Sequence, residues 1–204
     1  TDPKVAPNEN AAVALCQVLG SGQETKETHA LFLQLIGVDS LPMGETGALK
    51  EPAAASDEFF DQQSQAMSRP WTEGEFPQIA AWIDRIGSSL DACVAGVERR
   101  AFYLPLVDSL GPDDPLSPLL GVLMPVQQNC RSISRGLAAR AMLNIAKRDE
   151  AGARRDILAM FRLARHLSHA PLSIQSLVGM ATEAQANVSV LQLLNSGLLN
   201  EESA

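Results

Sequence analysis

Six arginines have the types and spacing to do chemistry. Arg131 and Arg135 are four residues apart, and Arg154, Arg155, Arg162 and Arg165 follow in the next segment. Projected on a helix at about 100° per residue, the last four fall within a roughly 100° arc. That arc lies away from the apolar stripe of Ile157, Phe161 and Ala164. Grouped guanidinium ions bind carboxylates or phosphates through paired N–H donors. Two uses compete: a face for an acidic partner, or a helix face that is solvated or docks onto the chain's own acids.

The charge pattern bears on both. The formal net charge is −8 over 204 residues. Residues 126–169 hold nine of the sixteen Lys and Arg residues but only three of the twenty-four Asp and Glu residues. An acidic chain is a poor general binder of a polyanion, so nucleic acid is not an expected partner. A protein partner, or further domains of the same protein, is. From 170 to 200 the only charged residue is Glu183. That stretch reads either as a core helix surrounded on all sides or as one whose second face meets another domain or subunit.

Glu73, Glu75 and Asp84 lie near Trp71 and Trp82. Carboxylates beside aromatic rings can bind sugars or act as a raised-pKa acid in hydrolysis. Acids at a helix start are also plain dipole partners. Trp71 falls outside any helical stripe and joins the arginines as a candidate partner-binding residue, whereas Trp82 reads as core. His166 and His169 stand three apart at a helix end, where cations suit the helix dipole, and no third metal ligand is adjacent. Cys16, Cys93 and Cys130 sit in apolar contexts with no zinc spacing, which predicts buried free thiols. No phosphate loop, metalloprotease or nucleophile-elbow motif occurs, and Gly20-Ser21-Gly22 is a helix stop. No catalytic residue, metal or cofactor is expected.

The elements that carry these residues are helices. The apolar set is dominated by Ala and Leu, and aromatics make up 4%. Pro7 or Asn8 opens a first helix that Gly20 ends. Thr25 caps a second through Ile36, with Leu31, Leu35 and Thr28 on one stripe. Gly37–Ala55 reads as a long loop, either a crossover or a lid. Ser56 caps a third helix to about Ser68. Pro77 starts a fourth, which Gly87-Ser88 separates from a fifth over Leu90–Arg100. Pro105, Pro112, Pro115 and Pro118 mark a boundary, and the acids there lack the spacing of a calcium loop. A long helix runs from Pro125 to about Lys147. Asp149 caps another through His169. The last carries Ile174, Leu177, Val178, Ala181, Val188, Leu191 and Asn195 on one face. The predicted fold is all-α: an irregular helical bundle with an antiparallel helical-hairpin array in its C-terminal half. It divides into residues 1–104, a Pro-rich connector at 105–118, and 119–204, packed as one unit.

Arg135–Ser168 resembles a tetratricopeptide-type helix pair, with Phe161 and Ala164 in the second helix. It lacks the Trp, Leu-Gly and Tyr positions of that repeat in the first helix, and no second copy follows at the repeat period. The whole chain is similar to an uncharacterised planctomycete-type family of helical proteins. The segments that carry this are "NENAAVALCQVLG" at 8–20, "RPWTEGEFPQIAAWI" at 69–83, "RRAFYLPLV" at 99–107 and "LAARAMLNIAKRDEAGARRDILAMFRLARHLS" at 137–168. The resemblance implies a longer parent protein, often with a membrane or signal segment ahead of it, and no catalytic residues to carry over. The expectation is a non-catalytic interaction or scaffold domain, in the cell envelope or secreted if a targeting segment has been removed, and otherwise cytoplasmic. The alternatives are a helical domain that binds an apolar or lipid-like ligand, and a carboxylate-dependent hydrolase.

Overall fold

The computed structural model describes residues 5–52, 55–107, 124–169 and 173–199, with side chains from 129 onward in the third stretch. The described residues form seven helices and no strand. They are α1 (Ala11–Leu19), α2 (Lys26–Ile36), α3 (Asp57–Ser68), α4 (Pro77–Val97), α5 (Met124–Ala146), α6 (Glu150–Ser168) and α7 (Ser173–Asn195). Residues 108–118 of the Pro-rich connector, with Asp108, Asp113 and Asp114, lie outside the described residues, as does Pro171.

Local chemistry explains most of the helix ends. The side chains of Thr25, Ser56 and Asp149 accept from the backbone N–H of Thr28, Phe59 and Gly152, satisfying donors that a helix start leaves open. Two boundaries differ from expectation. α1 starts later than Pro7 or Asn8, because Asn10 is its cap and is itself pinned. The Asn10 amide donates to Tyr103 O at 2.8 Å, and its Oδ1 accepts from Ala12 and Tyr103 N–H. α4 does not break at Gly87-Ser88 but runs through as one helix to Val97. Glycine inside a helix costs about 1 kcal/mol. Ile79, Ile83, Ile86, Leu90 and Val94 keep their register across it, and their burial outweighs that cost.

α5 is the central helix. From Cys130 to Ile145 it is buried on nearly every side, and α3, α4, α6 and α7 all pack on it. Ala138, Ala139 and Ala141 let those neighbours come close. One core therefore draws on both halves of the chain, joining Phe59, Trp71 and Ile86 to Leu137, Met160 and Leu163. A smaller cluster of Phe32, Ile36 and Leu41 closes on the other side of α1. In α2 it is Phe32 and Ile36 that turn inward to this cluster, so the expected stripe of Leu31 and Leu35 faces solvent.

The segment 37–52 is tied down as a strap. Ser21 N–H donates to Pro42 O, Gly22 N–H to Gly44 O, and Gly44 N–H to Gln23 O. Gly20, at φ +88°, makes this possible, since a Cβ there would stand 2.0 Å from Gly44 O. Farther on, Leu49 is buried, and Lys50 O accepts from Trp82 Nε1.

Candidate functional site

The arginines of the basic segment turn largely to the chain's own acids. Arg135 pairs with Glu51 at 3.5 Å, Arg154 with Glu150 at 3.2 Å, Arg155 with Asp91 at 3.2 Å and Arg162 with Glu98 at 2.9 Å. Arg131 and Arg165 are exposed and form no ion pair among the described residues. The face expected to meet a partner is thus laced to α4, to the strap and to its own helix.

One arginine of this region that sequence reasoning passes over is central to the packing. Arg140 lies among the alanines of α5 and is buried. Its Nε and Nη2 donate to both oxygens of Asp156 on α6, at 2.8 and 2.7 Å, and its Nη1 donates to Asp91 and to Gly87 O on α4. Asp156 is fully buried and also accepts from Asn144. Burial pushes its carboxyl above the ordinary aspartate value, and the Arg140 donors pull it back. This clasp joins α4, α5 and α6. An Arg inside an Ala-rich run, with an Asp sixteen residues on across a helical hairpin, was the signal for it.

Trp71 is corrected. It is 1% exposed, its Nε1 donates to Ala139 O at 3.0 Å, and its ring packs on Phe76. The ring anchors the 69–76 turn to α5 and is not part of a surface. The nearby carboxylates turn to different cations, Glu73 to Lys147 and Glu75 to Arg69. The Arg69 hydrogen bond holds the Glu75 carboxyl below its usual range, the opposite of what a general acid needs.

His166 Nε2 lies 3.1 Å from Val97 O, and its ring stacks on Phe102. His169 Nδ1 meets Arg165 O at 2.8 Å in the last turn of α6. With Arg100, Phe102 and Arg165 they line a cleft of about 160 Å³. The three cysteines are free and buried, and burial pushes each thiol up to about 12. Among the described residues no group of three or more His, Cys, Asp or Glu could hold a metal ion, and no helix is long and apolar enough to cross a membrane.

The largest departure from expectation is α7. It is not surrounded on all sides, and of its expected stripe only Val178 is buried. Its inward face is Gln175, Val178, Gly179, Thr182, Ala186, Ser189 and Leu193. Leu177, Met180, Leu191 and Leu194 face outward at 62, 63, 59 and 55% exposure, with Ile174 and Val188 also exposed. Close approach to α6 explains the choice. A Cβ on Gly179 would lie 3.0 Å from Ala164 O, so the two backbones nearly touch. The buried hydroxyls of Thr182 and Ser189 are satisfied within α7, by Val178 O and Gln185 O. Gln185 and Gln192 donate to Met67 O and Ser68 O at the end of α3, which sets the rotation of the helix. Beside its C-terminal end, Leu158, Phe161, Val190 and Leu199 border an apolar groove of about 350 Å³.

No family model, curated protein or solved structure matches the chain. The resemblances read from the sequence gain no support from these comparisons and lose none.

Proposed function

We propose that this chain is a non-catalytic interaction or scaffold domain whose working surface is the outward face of α7. The observation that carries this reading is the row of six large apolar side chains on that face, each more than a third exposed. Apolar surface left in water is unfavourable, and a contiguous, polar-rimmed patch of it is characteristic of a docking site. The rim is supplied by Glu183, Gln185, Asn187 and Gln192. The fitting partner is a protein that presents an amphipathic helix, because an apolar face along one helix matches the stripe of another.

Affinity capture from the source organism's lysate tests the reading with three baits. They are the wild type, a Leu177→Glu/Leu191→Glu version, and an Arg131/Arg135/Arg162/Arg165→Glu version. A partner lost from the leucine variant but held by the arginine variant supports the α7 surface. Loss from the arginine variant alone moves the surface to the basic face, and equal recovery on all three baits refutes both.

A second reading has its own observation. The groove between Leu158, Phe161 and Leu199 is apolar and open enough to take a small apolar or lipid-like ligand. A rise in melting temperature with a fatty-acid panel, abolished by Leu158→Gln, would favour it.

A further inference from the structure

The outward residues of α7 have a spacing that the interaction reading alone does not require. Counted from Ala184, Ile174, Leu177 and Met180 lie ten, seven and four positions before it. Val188, Leu191 and Leu194 lie four, seven and ten positions after it. The row reads the same in both directions. At about 100° per residue, the five inner positions span only about 80° of the helix surface.

We infer that α7 pairs with α7 of a second copy of this chain, antiparallel, about a two-fold axis at Ala184. This rests on the reading of that face as an interaction surface. A two-fold contact uses the same patch on both partners, so the patch must be complementary to itself. This one is. The axis sets Ile174 level with Leu194, Leu177 with Leu191, and Met180 with Val188 of the copy. The small Ala184 sits at the crossing, where the helices come closest. Steps of three and four residues give the row a shallow incline to the helix axis, which suits a pair crossing at about 20°.

Charge selects the same face. The chain carries a net charge of −8, so most contacts between copies are repulsive. On α7 only Glu183 is charged, and it lies at the flank, away from the row. Twenty residues of helix make a strip about 30 Å long. Such a pairing buries on the order of 1,000 Å² in total, the lower edge of what specific association needs. A contact of that size suits a weak dimer that dissociates on dilution.

Sedimentation over a micromolar concentration series tests it. The wild type is expected to shift from monomer to dimer with concentration. Leu177→Glu alone and Leu191→Lys alone should each weaken the dimer at least tenfold. They should melt as the wild-type monomer does, since both side chains are exposed. The double substitution should recover the dimer, because the two new charges meet across an antiparallel axis and would not meet across a parallel one. Ala184→Cys gives a second readout. It should form a covalent dimer on mild oxidation, with no background from the buried native thiols. A wild type monomeric throughout, a dimer indifferent to the single substitutions, or a double variant that does not recover overturns the pairing. Should the pairing fail while the leucine variants still lose a captured protein, the interaction reading survives without it. If capture is unaffected too, both fall.

Discussion

The arginine face of α6 and the leucine face of α7 exchange the roles their residue types suggest. Arg155 and Arg162, exposed on a helix, reach back to Asp91 on α4 and to Glu98, which caps its C-terminal end. Leu177 and Leu191, the residues a core would be expected to claim, point to solvent. The difference teaches two things. In a chain so rich in acids, most of these surface arginines find a partner within the molecule. And a helix is buried by the face that packs best, not by the face with the largest side chains. Gly179, Ala186 and Ser189 allow a backbone approach that a row of leucines would prevent.

The largest expected effect lies where the exchange is most complete, at the buried clasp. Asp156→Ala leaves Arg140 buried without its main partner, and removing one member of such a pair costs about 3–5 kcal/mol. Urea unfolding should show this as a large drop in midpoint. Replacing both, Arg140→Met with Asp156→Leu, should recover much of the loss, because no uncompensated charge remains. If Asp156→Ala unfolds at the wild-type midpoint, the clasp is ornamental, and the inward turn of the charges has no structural weight.

The second test sets leucine against leucine. Leu163 on α6 is fully buried, and Leu163→Ala is expected to cost about 2–5 kcal/mol. Leu177→Ala deletes the same atoms on α7 and should change the stability of the monomer by less than about 0.5 kcal/mol. Equal losses at the two sites would mean that α7 is covered within the monomer after all, which would remove the basis for its surface role. Gly179→Val, on the inward face, should fall between them, since overpacking a tight helix contact costs about 1–3 kcal/mol.

Much of the fold was legible in the sequence because it is written in local chemistry. Thr25, Ser56 and Asp149 name their helices through their side-chain oxygens, and Pro77 and Gly37 mark a start and a stop. The surface was not legible, for a physical reason. Periodicity locates a stripe of large apolar residues but does not say which stripe is buried. In α2 and α7 the stripe that counts is set by neighbours outside the helix itself: α1 for Phe32 and Ile36, and α6 with the distant end of α3 for α7. Trp71 was misplaced for the same reason, because its partner, Ala139 O, lies 68 residues away. Arg140 was overlooked because its type suggests solvent, and only the facing Asp156 reveals otherwise.

The smallest expected effect concerns His166, where the basic segment meets α4. Burial holds its imidazole below the ordinary value of 6.5, helped by Arg165 and His169 and opposed by the hydrogen bond to Val97 O. The folded-state pKa is therefore lower than that of the unfolded chain. Between the two values the unfolded state binds more protons, so stability rises with pH through that window. Acidification from neutral to below 6.5 should lower the urea midpoint of the wild type, and the lost stability should not return until the pH rises again. His166→Phe keeps a ring against Phe102 and removes the titrating group. It should start less stable at neutral pH, having lost the bond to Val97 O, yet show a flatter pH dependence, so that the two proteins converge in acid. Parallel slopes for the two would mean that other groups carry the acid sensitivity. They would also mean that the junction of α6 with α4 holds through its Arg162–Glu98 pair and its apolar contacts rather than through a neutral histidine.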